Sequence, residues 1–267
     1  MPDTLTQARA LTETAGFRVR EDLAVLRVLG DDARTWANGQ VTNDVRELAA
    51  GGSVYALVIN VRGRVLPDTF VIDRGERGLA FVIPRSELDA LREHLEHYII
   101  MEDVELELDE SVRVVTVQGA RSAEVSLEGI ERYAAARLGD VGFDLLVPAG
   151  DETLVTKLRE AALAVGGCEV DEAGWELARL RAARPALGRD FGEATYPQEA
   201  GLEERAVSFQ KGCYLGQEVI CMLENRGQLS RKLVALESTS PLAAGAAILD
   251  TEGNEVGAIT SATRDPE

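Results

Sequence analysis

Leu23-Ala24-Val25-Leu26-Arg27-Val28-Leu29 is an apolar, β-prone run, and Gly30-Asp31-Asp32 after it supplies a turn and an acidic cap for a short helix through Trp36. Beyond Gly51-Gly52, the runs 54–61 and 65–73 flank Arg62-Gly63 as a hairpin, and 79–83 adds another strand. Ser86 opens a helix with Asp89 three residues on. Leu88, Leu91, Leu95 and Tyr98 then recur at helical spacing as one buried stripe. Residues 104–108 alternate apolar with acidic, the pattern of a half-buried strand. The order β, α, β, β, α, β is that of a split β-α-β unit, the ferredoxin-like motif.

A second unit starts at Val112. The strand 112–117 runs into Gly119-Ala120-Arg121 much as Val28-Leu29 runs into Gly30-Asp31-Asp32, so an internal duplication is expected. Residues 142–147 read as a strand and 153–165 as an amphipathic helix, and Asp171 caps a further helix through Arg184. From Pro185 to Gly227 glycines and prolines punctuate the chain. Phe191, Tyr196, Leu202, Val207 and Phe209 are interspersed to anchor it, which favours a long functional loop over disorder. The stretches 232–237, 246–249 and 255–260 read as short strands, with a turn at Glu252-Gly253-Asn254. The expected fold is α+β: a first lobe over 1–110, a second lobe carrying the loop over 111–227, and a partial β-barrel domain over 228–267.

Composition narrows the function classes. The chain of 267 residues has 46 acidic against 28 basic side chains, a formal charge of -18, so its surface repels phosphate backbones and anionic membranes at long range. Direct nucleic-acid binding is not expected. No stretch approaches the roughly 20 apolar residues of a membrane span, and the start lacks the pattern of an export signal, so a cytoplasmic protein is expected. The three cysteines, Cys168, Cys213 and Cys221, form neither a disulfide framework nor a Cys-x-x-Cys site. His94 and His97 share a helix without a third ligand at recognisable spacing, so a polar helix face is the expectation and no metal site is assigned.

Chemistry concentrates in Lys211-Gly212-Cys213-Tyr214-Leu215-Gly216-Gln217-Glu218, where a cation, a thiol, a phenol, an amide and a carboxylate surround two glycines. The glycines permit close backbone approach to a ligand, and Lys211 is expected to lower the pKa of the Cys213 thiol. The alternative is a tight turn in which Cys213 is a small buried hydrophobe. Asn43, Asp44 and Asn60 follow or end apolar runs, where they either line a cleft or form turns. Glu199, between Pro197 and Gly201, can reach a ligand amine, and Arg226 suits a carboxylate.

The octapeptide resembles the signature of the YgfZ family, folate-binding relatives of the glycine-cleavage T-protein. Other stretches agree in order: Leu29-Gly30-Asp31-Asp32-Ala33, Gln40-Val41-Thr42-Asn43-Asp44-Val45, Gly63-Arg64-Val65-Leu66, Pro197-Gln198-Glu199-Ala200-Gly201-Leu202 and Arg226-Gly227. The resemblance implies two α+β lobes and a C-terminal β-barrel around a central opening that accepts tetrahydrofolate or a derivative. It also implies support of iron–sulfur enzymes or assembly proteins, including enzymes that thiolate tRNA, with Cys213 essential. On this reading Cys213 and Lys211 act chemically, and Asn43, Asp44, Asp68, Glu199, Tyr214, Gln217, Glu218 and Arg226 serve the folate.

Three departures qualify the resemblance. Related T-proteins carry an acidic pair, one member of which is the catalytic acid, where this chain has Pro67-Asp68. Arg181 aligns where relatives often have a glutamate suited to the pterin donor edge, and a guanidinium only donates. Met222 stands near a usual basic residue. These changes favour an accessory factor over a tetrahydrofolate-dependent aminomethyltransferase, the alternative. The chain ends at Glu267, where relatives continue with further strands, so the barrel is expected to be incomplete, completed by a partner, or truncated.

Overall fold

In Leu23–Leu29, Ala24, Leu26 and Val28 enter one core and Leu23 and Val25 another. A strand with apolar residues on both faces lies between two layers, and this one does, with Arg27 paired to Glu107. The structure, a computed structural model, describes residues 2–267, the side chain of Arg226 excepted. Its first elements are α1 (Thr4–Glu13), β1 (Gly16–Arg20), β2 (Leu23–Leu29), α2 (Ala33–Gln40), β3 (Ser53–Ile59), β4 (Val65–Asp73), β5 (Leu79–Pro84), α3 (Leu88–Glu96) and β6 (Glu105–Leu108). There follow β7 (Val112–Gln118), β8 (Glu131–Ala134), β9 (Gly142–Pro148), α4 (Glu152–Ala164), β10 (Cys168–Glu169) and α5 (Glu172–Arg181). Last come α6 (Glu203–Ala206), α7 (Gln217–Arg226), β11 (Ala247–Leu249) and β12 (Glu255–Ala258).

Two five-stranded sheets result, in the orders β3-β4-β5-β2-β6 and β10-β1-β7-β9-β8. In the first, β5 and β6 are each antiparallel to β2 and flank it, so α3 makes a split crossover over that central strand. The sheets pack face to face. Phe70, Ile72 and Val82 of the first meet Val114, Tyr133 and Leu146 of the second, while each outer face carries its own helices and core. Gly30 and Gly119, at equivalent strand ends, both have positive φ (105° and 115°), and a Cβ at either would lie within 2.4 Å of a backbone carbonyl oxygen. The same close approach thus ends β2 in one sheet and β7 in the other.

Several expectations need correction. Residues 4–20, grouped by sequence with the first lobe, join the second: β1 pairs antiparallel with β7 and parallel with β10, burying Phe17. Arg18 and Arg20 masked this short strand. Ser86 caps nothing; a 3-10 turn, Arg85–Glu87, precedes α3, and the Ser86 hydroxyl donates to Glu87. The helix expected through Arg184 ends at Arg181, just before Ala183 enters the left-handed region at φ 49°. Residues 232–237, expected as a strand, join no sheet. Among the described residues the C-terminal part contributes only the hairpin β11–β12, not a barrel. No helix there is long and apolar enough to cross a membrane.

The halves are also clamped by charge. The Arg74 side chain, 3% exposed, donates to Asp109 at 2.6 Å and to both oxygens of Glu131 at 2.9 Å. Burial works to raise both carboxyls, but the hydrogen bonds from Arg74, with Ser111 and Tyr133 assisting, more than offset it and hold them below their ordinary range. A depressed carboxylate contributes stability that is present above its unfolded pKa and lost as the pH falls through the folded value. Unfolding in urea is expected to show that loss below about pH 4. Arg74→Ala is expected to destabilise the protein by about 3–5 kcal/mol at neutral pH by stranding two largely buried carboxylates.

Candidate functional site

The Cys213 thiol is exposed, whereas the side chains at 211 and 214 on either side of it are buried. That contrast excludes the buried-hydrophobe alternative and makes the loop a mount for the cysteine. Lys211 reaches inward, and its Nζ donates at 2.7 Å to each of the carbonyls of Asn38, Val41 and Asn43. An ammonium has three N–H groups and all three are matched. Burial pushes its pKa down to about 7, with Asp44 opposing. The expected partnership of Lys211 with the thiol is therefore replaced by an anchor: this lysine ties the loop to the end of α2.

Other bonds complete the mount. Leu215 N–H donates to the Gly39 carbonyl, Ser208 N–H to the Thr42 carbonyl, and the Thr42 hydroxyl to the Ala206 carbonyl at 2.6 Å. Tyr214 packs among Leu57, Ile59, Phe191 and Ile220, and burial pushes its phenol up. Gly216 has φ 77°, and a Cβ there would lie 2.5 Å from the Asn60 carbonyl oxygen, so only glycine lets α7 start against the β3–β4 turn. Gln217 and Glu218 open α7, Gln217 half-buried and Glu218 exposed.

The remaining expected residues are mostly engaged in the same scaffold. Asn43 donates to the Tyr55 carbonyl and accepts from Asp44 N–H. Arg46, bonded to both oxygens of Asp44, holds that carboxyl down at about 2. Glu199 is buried and accepts from Tyr196 N–H at 2.9 Å, with Arg64 at 3.3 Å and Arg231 at 3.3 Å, so it offers no free carboxylate to a ligand amine. The Arg226 side chain lies outside the described residues. His94 and His97 each meet the Tyr98 ring edge-on at 5.2 Å.

Among the described residues, Asp68 alone of the expected set lines the principal cavity, a space of about 360 Å³ where the inter-sheet face meets β1, α5 and the segment 184–205. Tyr55 donates to the Asp68 carboxyl at 2.9 Å, and burial raises that carboxyl above its ordinary pKa. Trp175 contributes an aromatic face with the Arg20 guanidinium 4.7 Å from its centre. Glu176 supplies a carboxylate from α5, bonded to Arg179 at 2.5 Å. Arg181, aligned with a pterin-binding glutamate, is directed elsewhere, to Asp265 at 2.5 Å and Glu267 at 2.7 Å. Tyr55, Trp175, Glu176 and the cavity arginines were not singled out from sequence. Each sits in an ordinary strand or helix pattern, and only sheet-on-sheet packing brings them together.

Residues 4–136 match the family described as the GCVT N-terminal domain. The glycine cleavage system aminomethyltransferase T from Bartonella henselae has the same fold, with a TM-score of 0.82 at 22% sequence identity over 97% of this chain and 76% of that one. Fold and domain match together give the chain the fold class of the glycine-cleavage T-protein. The tRNA-modifying protein YgfZ of Vibrio atlanticus (strain LGP32) is 27% identical over 241 residues, 88% of this chain and 73% of that protein. That of Yersinia pestis (strain Pestoides F) is 27% identical over 225 residues, 80% and 68% of the two chains. Within that class, the chain is similar to the YgfZ proteins over most of its length.

Lys211→Met is expected to remove the donor from three carbonyls at once and to destabilise the fold by about 3 kcal/mol or more in chemical denaturation. Limited proteolysis is expected to cut the 208–216 loop faster than in the parent protein.

Proposed function

We propose that this chain is a folate-binding accessory protein that supports iron–sulfur cluster assembly or repair, and through it tRNA-modifying enzymes, with Cys213 as the acting thiol. The observation that carries the reading is the outward presentation of Cys213 on a loop whose neighbours Lys211 and Tyr214 are buried. A thiol held this way faces a macromolecular partner, and Cys213 is not among the residues lining the cavity. The names of the YgfZ relatives support association with tRNA modification, while the charge of -18 favours contact with the modifying enzymes over contact with tRNA itself.

The cavity residues suit a reduced folate. Trp175 and Tyr55 offer aromatic surface, Glu176 and Asp68 offer acceptors for the amino and N–H donors of a pterin, and arginines face the carboxylate end. A reduced folate, when bound, supplies one-carbon units. Titration with tetrahydrofolate, followed by Trp175 fluorescence, is expected to saturate, and Tyr55→Phe with Asp68→Asn to weaken binding. Cys213→Ala is expected to keep the parent melting temperature and folate affinity yet fail to rescue a strain lacking the factor. Full rescue by that variant would sink the proposal.

A second reading, aminomethyl transfer, keeps one specific observation. Asp68 faces the cavity with its pKa raised by burial, so it can hold a proton for delivery to a substrate nitrogen. Turnover of an aminomethyl intermediate of glycine cleavage, lost in Asp68→Asn, is the result that would favour it.

A further inference from the structure

Five of the seven arginines that line the cavity are matched to carboxylates, as Arg137 is to Asp144 at 2.5 Å and Arg20 to Asp22 at 2.6 Å. Arg184 and Arg205 differ. Among the described residues the only hydrogen-bond partners of their side chains are backbone carbonyls of a single short segment. Arg205 Nη2 donates to Ala136 at 2.6 Å, and Arg184 donates to Leu138 and Gly139 at 3.2 Å each. The shared segment sets the two guanidinium groups at the same end of the cavity.

Burial lowers the Arg205 pKa, and the neighbouring Arg184 charge lowers it further. Opposing this are Tyr55, with its ring centre 5.4 Å from the Arg205 guanidinium, and the carboxylates of Asp140 and Asp68, neither of which pairs with it. Two half-buried like charges without a paired carboxylate are unfavourable, and both keep N–H groups that the carbonyls do not use.

We propose that Arg184 and Arg205 form a subsite for the dianionic end of the cavity's ligand, either the paired carboxylates of a glutamyl group or a phosphate ester. The inference rests on the cavity being the ligand site. Two guanidinium forks match two carboxylates, or the three oxygens of one phosphate, while the aromatic and acidic residues at Tyr55, Asp68, Trp175 and Glu176 take the rest of the molecule.

Calorimetric titrations at low salt with tetrahydrofolate, with tetrahydropteroate (which lacks the glutamyl group) and with inorganic phosphate test this on the full chain. The parent protein is expected to prefer tetrahydrofolate over tetrahydropteroate by about tenfold or more, and R184Q/R205Q to lose that preference. R184K/R205K, which keeps both charges, is expected to retain part of it, and melting temperatures without ligand check that each variant folds. If tetrahydrofolate fails to bind but phosphate raises the melting temperature of the parent and not of R184Q/R205Q, the subsite stands with phosphate as its source and the folate reading falls. Equal tetrahydrofolate binding by parent and R184Q/R205Q overturns the subsite and leaves the folate reading intact. Failure of both tetrahydrofolate and phosphate to bind overturns both.

Discussion

Three backbone carbonyls at the end of α2 converge on one buried ammonium, and the arrangement of the signature loop follows from that convergence. A chain leaving a helix exposes carbonyls that need donors. Here Lys211, far away in sequence, satisfies carbonyls along this exit, and doing so fixes where residues 208–216 lie. With the ammonium held inside and Tyr214 packed among apolar side chains, Cys213 between them has only the outside to face.

The stretches that carry the family resemblance meet around this point. Residues 40–45 receive Lys211, Gly63 packs against α7 at Val219, Arg64 reaches Glu199, and Gln198 donates to the Ile220 carbonyl. They form one bonded cluster that supports the loop. This explains why Glu199, Asn43 and Asp44, chosen as ligand contacts, are already bonded to protein. Polar residues in a recurrent motif serve the backbone as readily as they serve a ligand, and their side-chain types do not distinguish the two uses.

The cavity is a separate construction. It arises because two sheets, each apolar on both faces, pack together and leave space at the seam where arginines of β1, α5 and the segment 184–205 approach carboxylates of both halves. A cation-rich hollow inside a chain of charge -18 concentrates positive potential where a small anion can enter. The thiol and the cavity thus occupy different places on one scaffold, and Leu187 and Leu202, which line the cavity, pack in the same cluster as Tyr214.

Much was legible in the sequence because it depended on neighbours along the chain. Apolar, β-prone runs marked β2, β3, β4, β5, β7 and β9, alternation marked β6, helical spacing marked α3 and α4, and the octapeptide marked the loop and the family resemblance. What tertiary structure alone decided depended on partners distant in sequence. It moved β1 into the second sheet, turned Lys211 from the thiol to the carbonyls of α2, engaged Glu199 with two arginines, and collected Tyr55, Asp68, Glu176, Arg184 and Arg205 around one space. The physical reason is common to these cases. A charged or polar side chain takes its role from the group that satisfies it, and long-range packing selects that group.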